Sequence, residues 1–330
     1  MAVTMAEIQK LRKMTGAGMM DCKNALTQAE GDFDQAMKII REKGKAVAAK
    51  RSDRDASEGC VLVKAEDGFG AIIALKCETD FVASNADFIK LAQAILDAAV
   101  AHKCKTLDEV KALPMGDTDV AQAVVDRSGI TGEKMELDGY CVVEGDNIAI
   151  YNHMNKNFLC TMCVLNKQTD PQVGKEVAMQ IAAMNPVAID EAGVPEQVKA
   201  NEMQVAVEKT KQEQIQKAVE VALKKAGFNL YIAESEEHLN EGIMKGYITE
   251  AQAQEIRDLK EKVAAEKAAH LPAAMIENIA KGRMNKFYKE SCLLNQDYIQ
   301  DAKLTVAAYL KSVDKELTVT DFKRFTLRAE

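Results

Sequence analysis

Residues 60–77 read Cys60-Val61-Leu62-Val63-Lys64-Ala65-Glu66-Asp67-Gly68-Phe69-Gly70-Ala71-Ile72-Ile73-Ala74-Leu75-Lys76-Cys77, and this stretch decides the fold class. Cys60 to Val63 and Ala71 to Cys77 are apolar runs of strand length, rich in β-branched residues. Between them Glu66 to Gly70 carries the acidic and glycine residues of a turn, so the two runs read as a hairpin. The period then changes. Phe88, Leu91, Ala92, Ile95, Leu96 and Ala99 fall on one side of a helix over residues 88–100. Two strands followed by a packed helix make an α+β unit. A weaker echo follows, in which Thr161 to Lys167 reads as a strand, Gln168-Thr169-Asp170 parallels Glu78-Thr79-Asp80, and Val173 to Met184 reads as a helix. The core is therefore expected to be duplicated, with antiparallel strands and packed helices, and with Pro171 standing where Phe81 stands in the first copy.

Working outward, the N-terminal segment shows helical spacing in three short runs: Met5, Ile8 and Leu11; Leu26 and Ala29; and Phe33, Ala36, Met37 and Ile40. Thr15-Gly16-Ala17-Gly18 and Gly31-Asp32 separate them. Met19 and Met20, directly after the first turn, form a flexible apolar surface that suits either a small core or a groove for a partner. Gly44 to Glu58, charged and rich in small residues, reads as a helix tail and a solvated linker. Residues 196–271 read as a helical insertion, with Val198, Val205, Ile215, Val219, Ala222 and Ala226 approximating a heptad seam. Within it Thr249-Glu250-Ala251-Gln252 is a capping box opening a second helix. Thr305 to Lys311 then reads as a helix, and Leu317 to Leu327 as a strand returning to the core sheet. The expected domains are 1–55, 56–145 and 146–330, the last carrying the insertion at about 196–271 and a closing module at about 300–330.

Composition narrows the function. A chain of 330 residues supports two or three domains. The net charge of −8 argues against a general nucleic-acid binder, whose affinity rests on Lys and Arg neutralising phosphates, and a protein partner fits better. No apolar leader or run of membrane-spanning length is present in the sequence given, so a cytoplasmic location is expected. The eight cysteines read as reduced, buried small hydrophobes. Cys160-Thr161-Met162-Cys163 has redox-motif spacing but lies inside the apolar run Phe158 to Leu165, which reads as a buried strand. His102, His153, His238 and His270 show no ligand spacing. No phosphate loop, nucleophile elbow or H-E-x-x-H motif occurs. Neither an enzyme nor a bound cofactor or metal is expected.

Three motifs in order, TGAGMMDCKNAL at residues 15–26, CETDFVASNADF at 77–88 and GRMNKFYKE at 282–290 followed by Cys292-Leu293-Leu294, resemble the signatures of translation elongation factor Ts. The resemblance implies a nucleotide-exchange factor of the GTPase elongation factor Tu. It also implies a UBA-like N-terminal module and a coiled-coil arm, here with Phe228 to Tyr247 as extra material at its tip. By the same resemblance Asp80 and Phe81 enter the GTPase beside its magnesium and phosphate site, Thr79 and Val82 shape the loop that presents them, and Met19, Met20 and Leu11 dock the N-terminal module. Residues 151–157, including His153, are implied to grip another domain of the GTPase. Read from the residues alone, Phe81 lies in a loop between a strand ending at Cys77 and a helix beginning near Ser84, and either projects outward or folds back beside Val82. Two other readings stay open at this stage, a ubiquitin- or chaperone-like binding module built on the N-terminal helices alone and a thiol oxidoreductase using Cys160 and Cys163. Self-association through the arm is also open.

Overall fold

The computed structural model describes residues 3–328. The chain divides into two compact units, one formed by residues up to Ile189 together with those from Asp297 onward, the other by Asp190–Gln296. Ala329 and Glu330 lie outside the described region.

The first unit begins with helices α1 (Met5–Thr15), α2 (Met19–Gln28) and α3 (Phe33–Lys50). Thr4 and Glu7 form a capping box at the start of α1, and Gly16 closes it in the left-handed region at φ 72°. Asp32 caps α3 by accepting from the Gln35 amide. Ile8, Leu11, Cys22, Ala25, Leu26 and Ala36 make the small core of this module, while Met5 points to solvent.

Strands β1 (Glu58–Glu66) and β2 (Phe69–Cys77) pair antiparallel from Glu58 opposite Cys77 to Glu66 opposite Phe69. The turn is only Asp67-Gly68, both at positive φ (47° and 74°), the combination that matches strand twist in a two-residue hairpin. A single turn α4 (Asp80–Ala83) and the helix α5 (Ala86–Ala101) follow. This departs from the expected loop: Thr79 caps α4, Asn85 caps α5 through the amides of Asp87 and Phe88, and the long helix starts at Ala86. The chain continues through α6 (Leu107–Lys111), a short hairpin β3 (Pro114–Met115) and β4 (Thr118–Asp119), and α7 (Val120–Thr131) to β5 (Met135–Glu144), which pairs antiparallel with β2. Next come β6 (Ile148–Asn152), one 3-10 turn at His153–Asn155, β7 (Leu159–Leu165) and α8 (Pro171–Met184).

The second unit is helical: α9 (Glu196–Lys225), α10 (Leu230–Ala233), α11 (Glu236–Met244), α12 (Glu250–Ala269) and α13 (Ala273–Ser291). Helices α12 and α13 both pack on α9. The buried positions of α9 are Ala206, Thr210 and Leu223. Of the expected seam Val198, Ile215, Val219 and Ala222 are half-buried, Val219 against the core shared with α10 and α11, whereas Val205 is exposed and Ala226 lies in the exposed turn that ends the helix. Leu223, Ala233, Leu239, Ala253 and Ile256 give α10 and α11 a core of their own with the adjoining ends of α9 and α12.

The closing segment supplies β8 (Asp297–Tyr298), β9 (Asp301–Thr305), α14 (Val306–Val313) and β10 (Val319–Thr326). The last strand pairs antiparallel with β7, giving the order β10-β7-β6 beside the first sheet's β1-β2-β5. Both sheets follow one plan, a hairpin whose second strand leads to a helix and receives a later antiparallel strand. They face one another through Val61, Ile72, Ala74, Val143, Cys160, Met162 and Val164. The alternate residues of β2, from Phe69 to Cys77, join Phe88, Ala92, Ile95 and Leu96 of α5 on the outer side. That is why β2 and β7 are buried on both faces and read as continuous apolar runs. The halves differ at the strand-to-helix joint, where Asp170 caps α8 directly with Pro171 at its first position and no counterpart of α4 exists.

Candidate functional site

The site is the turn α4. Its backbone closes through Ala83 N–H to Thr79 O (3.1 Å) and Ser84 N–H to Asp80 O (2.9 Å). Val82 and Ala83 pack against the core beneath α5. With that side anchored, helical geometry sends the preceding residues outward. Phe81 is 84% exposed and Asp80 is exposed beside it. A cleft of about 500 Å³ borders Asp80 and is lined by Lys156, Phe158 and Arg328 among others. The Arg328 guanidinium stacks on the Phe158 ring at 3.9 Å. An exposed Phe is unfavourable in water, and nothing within the described residues covers it.

Two carboxylates hold the approach to this turn. Glu133, in the loop between α7 and β5, accepts from the amides of Glu78 (3.2 Å) and Thr79 (3.1 Å) through one oxygen and from the Thr79 hydroxyl (2.6 Å) through the other. The Thr79 Oγ1 in turn accepts from the Val82 amide at 3.4 Å. Reciprocally, Glu78 accepts from the Lys134 amide (2.6 Å) and from Arg51 Nη1 at both its oxygens (3.0 and 2.9 Å). The Lys134 amide first and the Arg51 guanidinium after it hold the Glu78 carboxyl below the usual carboxylate range. Lys134 Nζ also donates to the Arg54 carbonyl at 2.9 Å. The Cys77 thiol donates to the Thr79 carbonyl (3.2 Å), and burial pushes it up to about 12. Sequence reasoning missed Glu133, Glu78 and Arg51; the acidic pair lies 55 positions apart, and no local pattern announces it.

The other expected contact residues separate clearly. Met20 is 64% exposed, whereas Met19 is half-buried against the module's core. Leu11 is corrected: it is 0% exposed, packed beneath α1 and α2, so it holds the module together and presents nothing to a partner. His153 is half-buried, with Nδ1 3.2 Å from the Tyr151 hydroxyl and its ring edge-on to Tyr151 and Phe158. Asn152 and Asn157 close the same loop by a side-chain hydrogen bond of 2.7 Å, and the loop raises Met154 to 65% exposure at φ 53°. Met154, not singled out from sequence, is the exposed apolar residue of this loop.

Strand period disposes of a Cys160–Cys163 disulfide. Residues three apart on a strand point to opposite faces, and here Cys160 faces the first sheet, donating to the Val61 carbonyl, while Cys163 faces α8, donating to the Gly174 carbonyl. Burial pushes both thiols up to about 12. Among the described residues no group of three or more His, Cys, Asp or Glu side chains is placed to hold a metal ion, and no helix is long and apolar enough to cross a membrane.

Comparison with known proteins agrees with the motifs. The family described as "Elongation factor TS" matches residues 78–250 and 244–329. The chain is 70% identical over 330 residues to "Elongation factor Ts" of Bacteroides fragilis and 67% identical over 330 residues to that of Bacteroides thetaiotaomicron. It is 44% identical over 333 residues to "Elongation factor Ts" of Porphyromonas gingivalis. In each case the whole of both chains is covered.

Proposed function

The chain belongs to the elongation factor Ts family, and on that premise we propose that it is a guanine-nucleotide exchange factor of translation elongation, acting on the GTPase elongation factor Tu. The observation that carries the reading is Phe81, 84% exposed on a turn whose other side is anchored in the core, with Asp80 adjacent. Phe81 acts as a wedge between elements of the GTPase. Asp80 disturbs its magnesium and phosphate site by charge and hydrogen bonding. Magnesium bridging the phosphates of bound GDP is a large part of what retains the nucleotide, so displacing the groups that orient the ion loosens it. No bond of the nucleotide is made or broken, and the protein is not an enzyme in this reading. It needs only to bind the open, nucleotide-poor GTPase more tightly than the closed one; linkage then makes factor and GDP weaken each other's binding reciprocally.

Met20 of a UBA-like N-terminal module and the loop around His153 supply docking contacts, and residues 196–271 form a coiled-coil arm. The domain limits 1–55, 56–145 and 146–330 belong to the same proposal, as do a cytoplasmic location, the absence of direct nucleic-acid contact, and self-association through the arm as a separate option. The test is the release rate of a fluorescent GDP analogue from purified elongation factor Tu, alone, with this protein, and with Phe81→Ala. Burying a Phe side chain contributes about 1.5–3 kcal/mol, so the variant should lose roughly tenfold or more of the acceleration. No acceleration by the native chain sinks the reading; acceleration that Phe81→Ala retains in full moves the mechanism away from the wedge.

A further inference from the structure

We propose that Glu133 is the positioning residue of this site, fixing the orientation in which the turn Asp80–Ala83 presents Phe81 and Asp80. This inference rests on the exchange-factor reading above and deepens it. Glu133 has three contacts with the approach to the turn, and they are of different kinds. Two backbone amides, those of Glu78 and Thr79, converge on one carboxylate oxygen, which fixes the path of the chain as it leaves β2. The Thr79 hydroxyl donates to the other oxygen at 2.6 Å, the short distance of a charge-assisted bond. A hydroxyl has one proton. Once that proton is committed to Glu133, the lone pairs of Oγ1 are left for the Val82 amide, whose bond caps the turn. The carboxylate thus sets the direction of the cap through the Thr79 hydroxyl.

Glu133 is itself held. Gly132 turns the chain out of α7 at φ 74°, the Glu133 amide donates to Thr131 Oγ1 at 3.3 Å, and the buried Ser128 hydroxyl donates to the Glu133 carbonyl. The carboxylate therefore reaches the turn from a rigid base on another element. A four-residue turn has too few internal bonds to hold one conformation unaided, and α4 contributes no fully buried side chain. A wedge acts only if it arrives in one orientation, since a site left slightly loose loses function while keeping its residues. Glu133 supplies that constraint without touching the partner.

The experiment measures GDP release from elongation factor Tu across a concentration series of the full-length native protein, Glu133→Ala, Glu133→Gln and Phe81→Ala. Amide hydrogen exchange over residues 79–85 of each free protein is followed in parallel. The expected result for Glu133→Ala is a maximal release rate lowered about tenfold or more, with the half-saturating concentration unchanged and faster exchange at the Val82 amide. Glu133→Gln, which keeps an acceptor for the backbone amides and loses the carboxylate that fixes the hydroxyl proton, should fall between alanine and native. Its folding, checked by thermal melting, keeps the test valid if the alanine variant is unstable. Maximal rate and Val82 exchange both at native values in the alanine variant overturn the proposal. A change in half-saturation alone also overturns it, because it makes Glu133 a docking or merely structural residue. If the native protein fails to accelerate release, the exchange-factor reading fails, and native-like Val82 exchange in the variants then refutes the brace independently.

Discussion

Alanine at Gly129 and alanine at Gly44 should change stability in opposite directions, although the two glycines face each other where α3 crosses α7. A Cβ built on Gly129 lies 2.3 Å from the Gly44 Cα and 3.3 Å from the Gly44 N and C atoms. Those are backbone atoms that cannot swing aside, and the nearest comfortable carbon separation is about 3.5–4.0 Å, so the helices must part by more than about 1 Å. A Cβ on Gly44 meets the Gly129 Cα at 3.6 Å and the Val125 carbonyl oxygen at 3.8 Å, which is ordinary contact. Both residues lie inside helices, where Gly→Ala gains about 1 kcal/mol of propensity. For Gly44→Ala that gain stands nearly alone, and the variant should be about 0.5–1 kcal/mol more stable. For Gly129→Ala overpacking costs about 1–3 kcal/mol; after the propensity gain a net loss of up to about 2 kcal/mol is left. Urea titration of the two variants, with amide exchange along α3 and α7 to locate the change, measures the difference. A midpoint raised by Gly129→Ala as much as by Gly44→Ala would refute the crossing geometry and the attachment of α3 that follows from it.

Leu11→Ala should destabilise the N-terminal module by about 2–5 kcal/mol, as for a fully buried leucine, while Met20→Ala stays within about 0.5 kcal/mol of native and weakens partner affinity; denaturation and titration with elongation factor Tu separate the two effects. Cys160 and Cys163, with thiols pushed up to about 12, should carry roughly one thiolate in ten thousand at pH 8, so neither should react with a thiol reagent until the protein unfolds; rapid native-state labelling of either would revive the redox reading. The Glu78 carboxyl is held low by the Lys134 amide and Arg51, so its stabilisation is present above the ordinary carboxylate pKa of about 4.3 and is lost as pH falls through the lower folded value. Glu78→Gln should flatten the acid limb of a stability-against-pH curve, and an unchanged limb would count against the bridge.

The hairpin, the helix after it and their weaker echo are readable because hydrophobic period is local: β2 and β7 are continuous apolar runs since both faces are buried, and α5 keeps an apolar face. Phe81 was legible as a position but not as an orientation, which depends on Val82 packing inward and on the turn α4. That turn is invisible to periodicity, since four residues are too few to display a period. Leu11 misled because an apolar residue in a helical row reads alike whether it packs inward or meets a partner, and only the burial of α1 against α2 decides. The seam of α9 was legible only in part, because its long helix has small and polar residues at the packed positions Ala206 and Thr210, where hydrophobicity gives no signal. Glu133 escaped altogether, since hydrogen bonds between residues far apart in the chain leave no trace in local composition.

The turn α4 adds no fully buried residue to the fold, and the second half of the core passes from strand to helix without one, on Asp170 and Pro171 alone. The architecture thus contains a working example of the same joint with the tool left out. The exposed tip of the turn, Asp80 and Phe81, is consequently almost uncoupled from the packing of the fold. Substitutions at Asp80 and Phe81, both exposed, should therefore cost the fold little, whereas changes at Thr79 or Glu133 reach the turn through its hydrogen bonds.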